Sequence, residues 1–328
     1  MKDILVTGGA GYIGSHLVRM LAEKGFNPVV YDNLENGFRE FVEGYELIEG
    51  DIGDFDKLDR IFKDRKIECV MNFASYIAVG ESVALPLKYY NNNVAKTLTL
   101  FDAMIKNGVL KFIFSSTAAV YGYPENVPIT EESPLKPINP YGRTKYMIEK
   151  VLADLDHAHG LKSISLRYFN AAGADPDGKT GESHIPETHL IPLVIRSVID
   201  PGFHITVFGT DYDTSDGTCI RDYIHVNDLS SAHILALEAL LAGGESDYYN
   251  LGNGTGFSVK EIIDSVERVT GKKPKYKEGP RRPGDPDILV ASSEKAARNL
   301  SWKPEITGID KIVETAFNWE SKGKRKGY

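Results

Sequence analysis

Ile4-Leu5-Val6-Thr7-Gly8-Gly9-Ala10-Gly11-Tyr12-Ile13-Gly14 is the stretch on which the reading of this chain turns. Ile4-Leu5-Val6 is a short apolar run rich in branched side chains, as in a buried parallel strand. Glycines follow at 8, 11 and 14, and then a helical pattern with Ile13, Leu17, Met20 and Leu21 on one face. A strand, a glycine turn and a helix N-terminus together make a phosphate site, because free backbone N–H groups and the helix dipole both point at the anion. Gly8 makes the tight turn, Gly11 lets a pyrophosphate approach the backbone, and Gly14 lets helix and strand pack closely. The spacing is GxxGxxG rather than GxGxxG, and three glycines in a turn also occur by chance. Strand, helix and a later acidic residue in the right order favour dinucleotide binding.

That acidic residue is Asp32, which ends a second strand at Pro28 to Tyr31, 18 residues past Gly14. A carboxylate there accepts both ribose hydroxyls and repels a 2′-phosphate, which predicts NAD rather than NADP. Glu46 to Glu49 reads as a third strand, with Asp51 after it in reach of an adenine edge. Phe55 to Lys63 reads as a helix. Cys69 to Ala74 reads as a fourth strand ending in a small-residue turn at Phe73 and Ala74. A long helix follows with Val94, Leu98, Phe101 and Ile105 on one face, then a fifth strand, Phe112 to Phe114, opening into Ser115-Ser116-Thr117. This alternation predicts an α/β fold: a Rossmann-type doubly wound parallel sheet with ligands at the carboxyl ends of its strands.

Asn139-Pro140-Tyr141-Gly142-Arg143-Thr144-Lys145 opens the next helix. Residues four apart share a helical face, so Tyr141 and Lys145 stack. A free tyrosine, with a pKa of about 10, is a poor base at neutral pH. A cation within about 4–6 Å lowers such a value, and an oxidised nicotinamide adds a second positive charge. Tyr141 then exchanges a proton with a substrate hydroxyl, as alcohol–ketone chemistry requires, with Thr117 bonded to the same oxygen. Alone, Tyr-x-x-x-Lys usually marks a solvated helix face; here it follows a glycine loop, an aspartate and a hydroxyl cluster.

Net charge is −8, which argues against nucleic acid or an anionic membrane as a partner through bulk charge. No apolar run is long enough to span a bilayer, and the chain enters its first strand at once, so neither membrane span nor signal peptide is expected. Cys69 and Cys219 lack ligand spacing and fit a reducing cytoplasm. The eight histidines show no ligand spacing, so no metal is expected.

Thr7 to Gly14, Tyr141 and Lys145 resemble the extended short-chain dehydrogenase/reductase superfamily. Val79-Gly80-Glu81-Ser82, Tyr89 to Val94, Leu166 to Asn170, Glu187 to Pro192, Asp216 to Val226, Tyr249 to Gly252 and Arg281 to Pro286 narrow this to a resemblance to the UDP-glucose 4-epimerase family, over nearly the whole chain. The resemblance implies Thr117, Tyr141 and Lys145 as catalytic hydroxyl, base and helper lysine. It implies NAD contacts from Tyr12, Ile13, Asp32, Asn33, Asp51, Ile52, Phe73, Asn92 and Tyr168, to which Ala74 and Ser115 are added from their places at the strand ends. It implies UDP-sugar contacts from Asn170, Leu190, Phe208, Arg221, Arg282 and Asp285. The two arginines suit a diphosphate, which a guanidinium fork meets in a bidentate way, although surface salt bridging is the commoner fate of any one arginine. Three positions depart from the family pattern. Ile77 stands where many relatives have lysine. His189 replaces an amide in the substrate loop. Leu289 replaces a bulky aromatic at the sugar pocket. The implied activity interconverts UDP-galactose and UDP-glucose through a 4-keto intermediate, in a homodimer formed by the helices around Asn92 to Ile105 and Arg143 to Asp156.

Past Ala171 the sequence turns loop-rich before a helix at Leu190 to Ile199. The expected division is a cofactor domain over 1–172 and a smaller α/β substrate domain over 173–328, with the part around 222–242 packing back on the first. Asp228 to Leu241 reads as amphipathic, with His233 on its face, and Ser258 with Glu261 reads as a capping box. Gly271 to Lys277 and Lys322 to Lys326 read as a solvated loop and a frayed tail. Two rivals are weighed. A nucleotide-sugar 4,6-dehydratase needs an acid–base carboxylate pair right after the threonine, where this chain has Ala118-Ala119. A non-catalytic NAD-sensing protein has no reason to keep Thr117, Tyr141 and Lys145 together.

Overall fold

The computed structural model of the chain describes residues 1–282 and 285–322. Its strands, in chain order, are β1 Asp3–Thr7, β2 Asn27–Asp32, β3 Glu46–Glu49, β4 Ile67–Asn72, β5 Lys111–Thr117, β6 Lys162–Tyr168, β7 Asn170–Ala172, β8 Ile205–Phe208, β9 Ile220–His225, β10 Asp247–Leu251, β11 Gly256–Ser258, β12 Tyr276–Gly279 and β13 Ile288–Leu289. The helices are α1 Tyr12–Glu23, α2 Phe55–Asp64, α3 Val79–Ala84, α4 Pro86–Tyr89, α5 Lys96–Lys106, α6 Pro140–His159, α7 Leu190–Ile199, α8 Val226–Leu241, α9 Val259–Thr270, α10 Glu294–Asn299 and α11 Ile309–Ser321.

Seven strands form one parallel sheet in the order β10-β6-β5-β4-β1-β2-β3. The strands are apolar on both faces because helices cover both faces. Ile4 and Val6 of β1 enter one core with Leu17, Val18 and Leu21 of α1 and Leu229 and Leu237 of α8. Leu5 enters the other, with Leu58 and Phe62 of α2, Phe101 and Met104 of α5, and Ile148 and Leu152 of α6. Each fully buried leucine or phenylalanine contributes about 1.5–3 kcal/mol. Registers bring the strand ends level: Thr7 lies beside Tyr31 and Asn72, and Thr117 beside Tyr168. The strand order reverses between β1 and β4, the switch point at which open sheets bind ligands.

The seventh strand, β10, comes from far down the chain, beyond the stretch expected to pack back. α8 is buried nearly all round between α1 and the sheet rather than amphipathic, and His233 is fully buried in it. On α5 the buried set is Thr97, Leu100, Phe101, Ala103 and Met104. Leu98, expected on the packing face, is 42% exposed. Immediately before α5 the chain makes a π-helical turn, Tyr90–Ala95, which rotates that face. The expected loop at Gly271 to Lys277 ends in an exposed strand, because Tyr276 and Lys277 begin β12, which pairs with β8. Ser258 and Glu261 do form a capping box on α9. The tail expected from Lys322 to Lys326 lies outside the described residues beyond Lys322. Among the described residues no helix is long and apolar enough to cross a membrane.

Candidate active site

The turn after β1 is built for close approach. Gly8 sits at φ +70°, and a Cβ there would stand 2.5 Å from the backbone of Phe73 and Ala74. At Gly14 a Cβ would stand 2.4 Å from the Gly8 carbonyl oxygen. The first turn of α1 follows Gly11, and among the described residues no side chain caps it. Its N–H groups therefore face the crevice, as an anion requires. Tyr12 donates its hydroxyl to the Gly173 carbonyl at 2.6 Å, and Ile13 packs on the core behind the turn.

Asp32 ends β2. Its carboxylate accepts from the backbone N–H of Ala10 at 2.9 Å and of Leu34 at 2.8 Å. Burial raises its pKa against those two bonds. Asp51 lies past β3 and accepts from Lys96 at 2.6 Å and from Asn33 at 3.2 Å. Burial opposes its ionisation, but Lys96 and the Gly53 N–H outweigh that and hold it below the carboxylate range. Ile52 beside it is buried. Phe73 packs on His233 with ring centres 4.9 Å apart and planes tilted by 40°. Asn92 lies in the π turn and donates to Asn93 Oδ1 at 3.1 Å. Ser115 and Tyr168, at the ends of β5 and β6, share a hydrogen bond.

α6 carries Tyr141 and Lys145. Asn139 caps it by accepting from the Gly142 N–H at 2.8 Å, and Pro140 follows at the first helical position. A Cβ at Gly142 would stand 2.5 Å from the Ala119 carbonyl oxygen, so the helix lies hard against the turn that follows Thr117. Burial pushes the Tyr141 phenol up to about 12, and hydrogen bonding with Thr117 draws it back. Lys145 Nζ donates to Ser75 Oγ and to the Ser115 carbonyl, both at 2.8 Å. Burial lowers this ammonium to about 7, against the pull of Glu149. Burial thus weakens the positive charge that the spacing predicted Lys145 to bring beside Tyr141. Its Nζ lies 5.9 Å from the Tyr141 ring centre, and a cation buried to that degree sheds its charge readily.

Residues that the sequence reading passed over hold this arrangement. Ser82 Oγ accepts the Tyr141 N–H at 3.2 Å. Asn93 bonds both backbone groups of Tyr76, at 2.9 and 3.0 Å, and donates to Thr144 at 3.2 Å, tying the π turn to α6. Glu149 accepts from Ser116 at 2.6 Å and from Arg167 at 2.9 and 2.6 Å. The helical spacing of Tyr141, Lys145 and Glu149 on one face was the available signal.

The residues expected on the substrate side lie on β7, β8, β9 and β13, at the start of α7 and in the segment between β12 and β13. Asn170 donates to the Asp222 carbonyl at 2.9 Å. Leu190 opens α7, directly after His189 at its N-cap. The Arg282 guanidinium lies 4.2 Å from the Phe208 ring centre. Arg221 on β9 pairs with Asp285, and Leu289 sits beside Arg221 in the β13–β9 register. Leu289 also packs on Val120, Tyr121 and Ile129, the cluster just past Thr117. Ile77 is 42% exposed. The histidines, which show no ligand spacing in the sequence, include two that the fold brings together with carboxylates. Glu182, His184, Glu187 and His189 bring four ligand atoms within 4.8 Å of one another, because an irregular turn folds residues two and three apart toward one point.

A model of the NAD dependent epimerase/dehydratase family matches residues 4–252. The chain is 50% identical over 326 residues to a UDP-glucose 4-epimerase of Rhizobium meliloti, covering 99% of each protein. It superposes with a TM-score of 0.95 on the crystal structure of UDP-glucose 4-epimerase from Brucella ovis in complex with NAD, at 46% identity, covering 97% of this chain and 98% of that one. It superposes with a TM-score of 0.85 on the UDP-Glc/GlcNAc 4-epimerase of Campylobacter jejuni, at 43% identity, covering 98% of this chain and all of that one. Glycine turn, level strand ends and a Tyr141–Lys145 face thus occur together in a chain that belongs to the NAD dependent epimerase/dehydratase family.

Proposed function

We propose that the protein is a UDP-glucose 4-epimerase that interconverts UDP-galactose and UDP-glucose. The observation that carries this is the convergence of Thr117, Tyr141 and Lys145 at the end of β5 and the start of α6, with only β4 between β5 and the strand that leads into the Gly8–Gly14 cradle. Gly8, Gly11 and Gly14, with the uncapped first turn of α1 around Tyr12 and Ile13, hold the pyrophosphate of NAD. Asp32 takes the adenosine ribose, Asn33, Asp51 and Ile52 border the adenine, and Phe73, Ala74, Asn92, Ser115 and Tyr168 line the rest of the nucleotide site. When bound, NAD supplies a hydride acceptor that becomes a hydride donor. Tyr141 takes the proton of the sugar 4-hydroxyl, with Thr117 holding the same oxygen, and returns it after the 4-keto sugar has turned over in the pocket. Lys145 fixes the ribose end and adds a charge weakened by burial beside Tyr141, whose tuning falls mainly to the nicotinamide.

Arg221, Arg282 and Asp285 bind the uridine diphosphate side, with Asn170, Leu190 and Phe208. The anchored end supplies binding energy while the reacting end rotates. His189 and Leu289 border the sugar, and a leucine in place of an aromatic leaves volume for an N-acetyl group. Ala118 and Ala119 leave no carboxylate pair after Thr117 for a dehydratase. A homodimer through α5 and α6 completes the reading; Leu98 and Met147, 42% and 43% exposed on those helices, support it. The cytoplasm is the fitting compartment for two buried free thiols, Cys69 and Cys219.

The test supplies UDP-galactose carrying deuterium at C4. Retention of the label in UDP-glucose, with nucleotide released on denaturation identified as NAD, is expected. Washout of the label into water would replace hydride return by a proton-abstraction route, and NADP as the released species would overturn the reading of Asp32.

A further inference from the structure

Behind the cofactor cradle, in the turn that leads into α7, two histidines and two glutamates face one another. Each imidazole Nδ1 meets an oxygen of each carboxylate. His184 lies 3.2 Å from Glu182 and 3.6 Å from Glu187, and His189 lies 2.7 Å from Glu182 and 3.0 Å from Glu187. Among the described residues, neither His184 Nδ1 nor Glu182 Oε1 is aligned with a hydrogen-bond partner, although both are shut off from water. His189 Nδ1 shares a hydrogen bond with Glu187 Oε1, but the short separations at His184 Nδ1 and Glu182 Oε1 lack alignment, as ligand atoms gathered around one central point do. A tetrahedral zinc ion with bonds of about 2.0–2.1 Å has ligand–ligand edges of about 3.3–3.4 Å, and the four separations, which reach Glu187 through Oε2 from His184 and through Oε1 from His189, scatter around that value.

We propose that Glu182, His184, Glu187 and His189 form a tetrahedral zinc site that fastens the substrate loop to the cofactor helix. The charge balance fits. Two buried carboxylates need two positive charges, and a dication supplies them while leaving both imidazoles neutral as ligands. His189 is 40% exposed on its side chain, which leaves an entry path, while Glu182 and Glu187 form the closed floor.

The position gives the site a purpose. The Tyr12 ring, at the first turn of α1, packs edge-on against His184 at 6.2 Å between centres. His189 is the N-cap of α7. Trp319 Nε1 donates to the Glu182 carbonyl at 2.9 Å, so α11 is tied in as well. An ion here joins the helix that starts the nucleotide site, the helix that starts the sugar loop and the last described helix. It lies outside the reacting centre, so its role is structural.

Untagged protein, expressed with zinc available, is assayed for bound metal and then stripped with a chelator. About one zinc per chain is expected. The stripped chain should unfold at a lower temperature and recover on adding zinc but not magnesium. His184→Ala and Glu187→Gln should each weaken zinc binding by more than tenfold in competition with a chromophoric chelator. Cobalt in the stripped wild type should give the absorption of a tetrahedral ion, which keeps the test decisive if a variant fails to fold. Absence of stoichiometric zinc together with no thermal response, uptake unchanged in both variants, or an octahedral cobalt spectrum would each overturn the site.

Discussion

Lys145 and Tyr141 share one face of α6, and the lysine spends its hydrogen bonds on neighbours other than the phenol. Its Nζ bonds Ser75 Oγ and the Ser115 carbonyl and stays 5.9 Å from the Tyr141 ring centre. With its pKa lowered to about 7, this lysine is a weak source of positive charge for a phenol raised to about 12. A positive nicotinamide is what remains to bring Tyr141 into the range of a working base. The difference in phenolate absorbance between wild type and Tyr141→Phe, titrated with pH, should therefore show ionisation at much lower pH with oxidised cofactor bound than after its removal. Equal titrations in the two states would return the task to Lys145.

Tyr141→Phe should lower turnover by about three or more orders of magnitude with little change in UDP-sugar affinity, because it removes the proton acceptor and no diphosphate contact. Steady-state kinetics with UDP binding by calorimetry separates the two. A variant with weakened UDP binding and near-normal turnover would move the base elsewhere.

Gly14→Ala places a methyl 2.4 Å from the Gly8 carbonyl oxygen and 2.8 Å from the Gly9 Cα. Both are backbone atoms, so the turn itself must shift. The variant should purify with little or no NAD, measured as nucleotide released on denaturation, while its far-ultraviolet circular dichroism stays near that of wild type. Full occupancy would mean that the glycines are not the cradle.

Leu289→Tyr should abolish epimerisation of UDP-N-acetylglucosamine while sparing UDP-glucose, since only the N-acetyl sugar needs the vacated volume. In the wild type the N-acetyl substrate should react more slowly than UDP-glucose. The contact of Leu289 with Val120 and Tyr121, just past Thr117, puts the substitution beside the reacting carbon's hydroxyl partner. A proportional loss of both activities would exclude Leu289 as the gate.

His233 is buried between Phe73 and Tyr168, and burial lowers its pKa to about 4 despite its bond to the Leu229 carbonyl. In the unfolded chain a histidine titrates near 6.5. As pH falls from 6.5 toward 4, the unfolded state takes up a proton that the native state refuses, so this group's contribution to stability is lost over that window. At pH 5 the loss is about 2 kcal/mol relative to neutral pH. His233→Phe should lack this component. Denaturant unfolding of both proteins at pH 7.5 and pH 5 checks it, and an identical acid loss in the variant would remove His233 as a source.

The sheet and the glycine turn were legible in the sequence because buried parallel strands and phosphate-binding helices obey local rules. Apolar runs mark β1, β2, β4 and β5, and Asp32 and Tyr141 stand at fixed distances from elements already placed. What escaped depended on long-range partners. The burial of His233 requires β4 and β6 around it. The rotated face of α5 comes from a π turn that periodicity over Val94 to Ile105 cannot register. Asn93 sits in a run of three asparagines, and only its position against Tyr76 and Thr144 distinguishes it from its neighbours. The cluster at 182–189 follows neither helical nor strand spacing, so its four ligands meet only once the turn is formed.

The late arrival of β10 has a consequence for how the molecule comes to exist. β6 exposes a full row of backbone donors and acceptors until Asp247–Leu251 pairs with it, and more than seventy residues of substrate-side structure are synthesised in between. A nascent chain released at 172 would carry an open sheet margin of the kind that recruits other chains. The edge of the large sheet is therefore closed only after the ribosome has passed the segment from β7 to α8, and the two halves of the enzyme mature together rather than in succession.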